Sequence, residues 1–233
     1  MSSFTVIMPN YNGVKYIEQA IDSVLNQTFK DWELIIIDDA STDTSLEIIE
    51  TYLIKDKRIK LFKNIKNLGY GHSLYIGTKY INSHFFGNLD VDDILVENAI
   101  EIMYQAHQQY PKASMIYSQF MNCDNNMKPI KKGYCGKIPN NQTNLEANKV
   151  SHFRTYKLSY YNQTVGFHTK LKSAIDKDIS YKMEEVGDLV FINQILYHYR
   201  KHKQGISQGK ERRAIAKQNM AIAQKEARER RRK

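Results

Sequence analysis

Three carboxylates fall within four positions at Asp90-Val91-Asp92-Asp93, directly after the short run Phe85 to Leu89. Carboxylates this close repel one another, so a positive group or water must lie among them. A hard divalent cation with oxygen ligands, Mg²⁺ or Mn²⁺, is the simplest candidate, and it commonly shares its coordination with phosphate oxygens. The plainer alternative is an acidic loop that caps a following helix, with Asp92 or Asp93 as N-cap. A second acidic group, Asp38-Asp39-Ala40-Ser41-Thr42-Asp43, follows the apolar run Trp32 to Ile37.

Both acidic groups depend on the elements that carry them. Phe4 to Met8 is apolar and β-rich and is ended by Pro9, so it predicts a buried first strand. The turn Pro9-Asn10-Tyr11-Asn12-Gly13 follows, and Ile17, Ala20, Ile21, Val24 and Leu25 then recur at helical spacing between Val14 and Asn26. Strand patterns return at 32–37, 59–62, 85–89 and 114–117, with helical patterns over 45–53, from Gly71 to Ile81, and from Ile94 to Tyr110. This alternation predicts a mainly parallel sheet with helices on both faces. Acids after its second and fourth strands then emerge on one edge, where open α/β sheets bind ligands.

From Phe120 to Lys149 the pattern breaks down into Asn, Lys, Gly, Pro and Gln, which reads as a functional loop or a loose surface insertion. Met183 to Tyr199 reads as helical, with Val186, Leu189, Val190, Ile192 and Leu196 around one element.

Composition narrows the classes. The 233 residues suffice for one substantial core. Cys123 and Cys135 form no disulfide framework or ligand-spaced cluster, so a reducing, cytoplasmic setting is the expectation. Met1 to Thr5 is unlike a signal peptide, and no apolar run spans a bilayer. Gly209 to Lys233 holds ten Lys or Arg against three Glu, and so supplies +7 of the net charge of +9. The rest of the chain is therefore nearly neutral, which argues against a nucleic-acid-binding domain. The terminal stretch favours helix, with Ala216, Met220, Ala223 and Ala227 on one stripe. A solvated tail, an anionic membrane anchor through Arg228 to Lys233, and a subunit contact are its three readings.

In order along the chain, Val6 to Asn12, Ser23 to Phe29 with Trp32-Glu33-Leu34, Ile36 to Asp43, Asn67-Leu68-Gly69 and Leu89 to Asp93 resemble the motifs of the family 2 glycosyltransferases. The resemblance runs from about Phe4 to Ser207. It implies the GT-A fold: a Rossmann-like, mainly parallel sheet flanked by helices, with a C-terminal acceptor-side region and, in this chain, a helical basic tail. It divides the chain into a nucleotide-sugar-binding half (1–118), an acceptor-binding and catalytic half (119–208) and the tail (209–233).

The implied activity is transfer of a hexose or N-acetylhexosamine from a UDP-sugar to a hydroxyl of a cell-surface glycan or glycolipid, with inversion and with Mn²⁺ or Mg²⁺. Pro9, Tyr11, Asn12, Asn67, Gly69 and Val91 would line the nucleotide site. One of Asp38 and Asp39 would accept from the uracil imide. Asp90, Asp92 and Asp93, with His202, would surround the metal, and Arg200 or Lys203 would meet phosphate, in a late segment that also contains Ser207.

For the base, the family's acid opening a helix is expected at Asp188, with Gly187 and Gln194 departing from its usual neighbours. Glu184 and Glu185 are rivals, and a simple N-cap at Asp188 is the alternative. His72 and His168 receive no role. Two other classes remain open: a non-catalytic sugar-nucleotide-binding module, and an adaptor acting through its basic tail.

Overall fold

The computed structural model describes residues 2–202 and 210–232. Strands β1 (Phe4–Asn10) and β2 (Trp32–Asp38) are buried along their whole length. They lie in the middle of a parallel set with β3 (Ile59–Lys63) and β4 (Phe85–Asn88), in the spatial order β3-β2-β1-β4. Burial on both faces explains why these runs are continuously apolar rather than alternating. Helices α1 (Ile17–Leu25), α2 (Ser45–Lys55) and α3 (Tyr70–Thr78) make the crossovers. α1 turns Ile17, Ala20, Ile21 and Val24 inward, matching its helical period. In α3, Gly77 permits close approach to β1: a Cβ there would lie 2.6 Å from Ile7 Cγ2.

The sheet does not stop at β4. β5 (Ile94–Leu95) is followed by α4 (Ala99–Gln109), β6 (Ala113–Cys123), β7 (Pro129–Lys132), α5 (Asn144–Ala147), β8 (Arg154–Lys157), α6 (Leu158–Tyr161), α7 (Ile175–Glu184), β9 (Asp188–Arg200) and α8 (Lys210–Arg230). β8 joins β4 to β6 by antiparallel pairing on both sides. β9 then runs parallel to β6 and antiparallel to β5. A single nine-stranded sheet therefore passes through both expected halves.

Three expectations need correction. Ile94 and Leu95 are a strand paired with His198 and Tyr197, and the helix begins only at Ala99. The stretch after Phe120 is more regular than its composition suggests: β6 continues to Cys123 and folds back as β7. Asp188 to Arg200 is a strand of 13 residues, where a helix was read. Leu189, Val190, Phe191 and Ile192 are all half-buried. Apolar contact on both faces erases the period of two, and the β-branched and aromatic content was the better signal.

α8 is docked, not free. Ala223 and Ala227 are fully buried, and the helix packs on α7. The apolar stripe was thus correctly placed, but it covers this same chain. Among the described residues, no helix is long and apolar enough to cross a membrane.

Candidate active site

One pocket of about 900 Å³ opens at the carboxyl ends of β1, β2 and β4. Asp39, Asp90, Asp92 and Asp176 all line it, with Tyr11, Asn67, Gly69, His152, Arg154 and His202 among their neighbours. The acids after the second and fourth strands therefore do share an edge.

The β1 turn is fastened to the β2 turn. Asn10 Nδ2 donates to Asp38 Oδ1 at 2.7 Å, and Asp38 also accepts from Ser41 N and Ser41 Oγ at 3.0 and 2.6 Å. Asn12, at φ 54°, accepts from Thr42 N at 2.8 Å. Asp38 is consumed by this fastening and is absent from the pocket wall, so of the pair Asp39 is the one that lines the pocket. Asp39 accepts from Leu68 N at 2.9 Å, Gly69 N at 2.7 Å and Asn64 Nδ2 at 2.8 Å. Gly69 holds φ 91°, a conformation that favours glycine. Pro9, Asn12 and Val91 also reach the pocket as expected.

The three carboxylates of the opening motif have separate environments. Asp90 accepts from Tyr70 Oη at 2.5 Å, and its amide donates to Tyr197 Oη at 3.3 Å. Burial first, then repulsion from Asp92, pushes its pKa up to about 6. Asp93 is 1% exposed and accepts from Tyr197 Oη and Arg200 N, both at 2.7 Å. Burial and the two neighbouring carboxylates hold its pKa well above the usual carboxylate range. Asp92 Oδ2 lies 2.7 Å from His202 Nε2.

Could these residues hold a divalent ion? Asp90, Asp93 and His152 present one ligand atom each, all within 4.8 Å of one another. Burial keeps His152 neutral well below the usual imidazole range, so a ring nitrogen is available to a metal. Two oxygens and an imidazole nitrogen suit Mn²⁺, and the raised pKa values of the acids mark a site short of positive charge. The set therefore fits the ion. It differs from the expected one: His152 joins Asp90 and Asp93, while His202 faces Asp92.

Arg200 is a clamp. It is 3% exposed; Nε donates to the Asp92 carbonyl at 2.7 Å, Nη1 to the Asn125 carbonyl at 2.5 Å and Nη2 to Gln19 Oε1 at 2.6 Å. It does not line the pocket and is not placed to meet phosphate. Lys203 and Ser207 lie outside the described residues.

The expected base is not in the pocket. Asp188 pairs with Ala113 at the start of β9, whereas Arg200 ends that strand beside Asp93. At about 3.3 Å per residue the two ends are separated by roughly 35–40 Å. Glu184 and Glu185 are also spent, in ion pairs with Arg231 at 2.5 Å and Arg230 at 2.7 Å.

Asp176, by contrast, lines the pocket. It sits in the first turn of α7, its side chain is 34% exposed, and it lies 3.9 Å from Arg154 Nη1. Within α7 the buried pair Lys182–Asp178 at 2.6 Å links successive turns, and Lys182 Nζ ties the helix to the preceding loop by donating to the Gly166 carbonyl at 2.8 Å. Reading the sequence missed Asp176, Arg154 and His152. A signal existed for each. Ile175-Asp176 opens a helix, so Asp176 is an acid at a helix start, the position expected of Asp188. His152 and Arg154 are two apart, so an extended chain turns them to one side.

A model of the family described as glycosyl transferase family 2 matches residues 5–165. Chondroitin synthase from Escherichia coli is 31% identical over 203 residues, covering 87% of this chain but 29% of that protein. The chain thus spans less than a third of the length of that curated relative. The structure of S. aureus TarS 1-349 in complex with UDP-GlcNAc has 20% identity and a TM-score of 0.78, over 95% of this chain and 66% of that one. Mannosyltransferase PcManGT from Pyrobaculum calidifontis, in complex with GDP-Man and Mn²⁺, has 18% identity and a TM-score of 0.69, over 91% and 61%. Those two likenesses show the GT-A fold. With the family model matching most of its length, this chain belongs to glycosyl transferase family 2.

Proposed function

We propose that the chain transfers a sugar from a UDP-sugar to a hydroxyl of a glycan or glycolipid acceptor. One observation carries the reading: acids from three different strand ends or helix starts, Asp39, Asp90 with Asp92, and Asp176, converge on one pocket. The E. coli relative's name and the UDP-GlcNAc complex of TarS support a nucleotide-sugar donor.

In this reading, Tyr11, Asn67 and Gly69 flank the nucleoside. Asp39 has both oxygens oriented by main-chain donors and keeps lone pairs for an imide N–H. Asp90, Asp93 and His152 would hold the divalent ion, with Asp92 and His202 beside them. When bound, such an ion supplies positive charge against a departing diphosphate. Asp176 stands on the acceptor side. It accepts the proton of the attacking hydroxyl, with Arg154 Nη1 3.9 Å away. Displacement by a hydroxyl activated from the face opposite the leaving group inverts the anomeric centre.

The test is UDP release with a panel of UDP-sugars, with and without Mn²⁺, alongside UDP titration calorimetry. UDP should bind, and Asp90→Ala should remove most turnover. Wild-type turnover in Asp90→Ala would refute the reading.

A further inference from the structure

α8 has two faces with different chemistry. Its inner face is taken up by the protein: Ala223 and Ala227 are buried on α7, the Asn219 side-chain amide lies 3.0 Å from Ser173 Oγ, and Glu226 faces His168 at 3.7 Å. Arg230 and Arg231, the centre of the terminal basic run, are occupied by Glu185 and Glu184. They are therefore not the residues through which the tail would meet an anionic partner.

The outer face keeps a different set. Lys217, Lys225, Arg228 and Arg232 are all exposed, and their spacings of 8, 3 and 4 place them on one stripe. Lys170 and Lys172 are exposed in the loop that His168 and Ser173 hold against the helix. Opposing charge is sparse: Glu229 is 3.8 Å from Lys225, and Glu226 is turned toward His168. Ile222 is 44% exposed on the same helix.

We propose that the outer face of α8, through Lys217, Lys225, Arg228 and Arg232, docks the protein on a bilayer surface that carries anionic phospholipid headgroups. Arg232 stands in the turn just past the helix end, and from Lys217 to Arg228 the stripe runs about 16 Å at the helical rise. It accompanies an apolar side chain that an interface accepts readily. A nucleic-acid groove would be expected to interleave aromatic rings for base stacking, and no Phe, Tyr or Trp occurs in α8. Docking also has a consequence for the site. Ala216, Met220 and Lys172 line the pocket, so the same helix that would meet the headgroups borders the pocket's mouth. A hydroxyl on a lipid-borne glycan would be presented at that mouth.

The experiment is co-sedimentation of the full chain with sucrose-loaded vesicles of phosphatidylcholine, with and without about 30 mol% phosphatidylglycerol. The variant carries Lys217→Gln, Lys225→Gln, Arg228→Gln and Arg232→Gln together, with calorimetric UDP titration as its fold control. Wild type should bind the anionic vesicles and release as salt rises. The variant's partition should fall by about a thousandfold, the product of the four cations' separate attractions to the surface, with unchanged UDP binding. Should the fourfold variant misfold, Lys217→Gln with Lys225→Gln is read instead, with about a thirtyfold fall expected. Absence of wild-type binding, equal binding to neutral vesicles, or displacement from the anionic vesicles by a single-stranded oligonucleotide would each overturn the proposal. So would a folded variant that binds like wild type. Vesicle binding is read without any donor sugar. Failure of UDP to bind would count against the transferase reading alone.

Discussion

In the first half of the chain, the pocket residues hang from the ends of parallel strands and are fixed by turns close to them. Asp39 accepts from Asn64, Leu68 and Gly69 in the turn after the neighbouring strand β3, and the Asp90 turn closes through Asp93 N to the Asp90 carbonyl. In the second half, the pocket residues come from an antiparallel insert, a helix start and a docked terminal helix. Arg154 opens β8, Asp176 opens α7, and Met220 belongs to α8. Their supports come from packing between elements: α7 leans on α8, and Arg154 of β8 lies 3.9 Å from Asp176 of α7. The contrast has a physical basis. Strand ends of a parallel sheet converge by topology alone, whereas an acceptor wall needs tertiary packing to bring its parts together.

The largest expected effect comes from the two acids that compete for the base role. Asp176→Asn should lower acceptor-dependent UDP release by about 10²–10⁴-fold, the usual contribution of a positioned general base. UDP affinity should stay near wild type if, as proposed, Asp176 meets the acceptor hydroxyl rather than the nucleotide. Asp188→Asn should stay within about twofold, since an exposed residue at the far end of β9 touches nothing in the site. The reverse ranking would return the base to β9 and dissolve the contrast between the halves.

The same contrast explains what could be read from the sequence. β1 through α3 were legible because each apolar run had one environment: strands buried on both faces, helices with one buried stripe. The strand-end acids followed from topology. β9 was not legible, because its half-buried residues on both faces imitate a helical pattern over Leu189 to Leu196. That single misreading carried Asp188 into the site and left Asp176 out. α8 was legible as a helix but not as a docked one, because a thin alanine stripe does not reveal what it meets.

Where the two halves join, His107 offers a pH-dependent probe. It lies on α4, its ring stacked on Phe85 of β4 at 4.6 Å and its Nε2 2.9 Å from Thr155 Oγ1 of β8. Burial, with a smaller push from Lys157, lowers its pKa to about 3. The unfolded imidazole titrates near 6.5. The folded value is depressed, so the contribution to stability is complete above about pH 6.5. It is lost progressively as pH falls toward about 3. Between about pH 6.5 and 5 the loss approaches 2 kcal/mol. Urea melts at these two pH values should show it, and His107→Gln should flatten the slope. His152 and His198, also depressed by burial, would retain their own share in that variant. An unchanged slope would mean that His107 protonates freely and that the junction is open to water.

The smallest effect asks whether α8 belongs to the second half as a structural element. Arg230 and Glu185 are partly exposed, with side-chain exposures of 29% and 18%. Pairs of this kind contribute about 0.2–1 kcal/mol. Arg231 lies 3.5 Å from Glu185 as well as bonding Glu184, so it retains part of the attraction when Arg230 is removed. Arg230→Ala should therefore fall at the low end, lowering the melting temperature by about 0.5–1 °C for a chain of this size. The shift should shrink as salt is added, because the lost term is electrostatic. Ala227→Asp, on the same helix, would bury an unpaired charge and should cost more than the ion pair. If neither substitution moves the melt, α8 does not rest on α7 in solution, and the acceptor wall ends at the loop around Ser173.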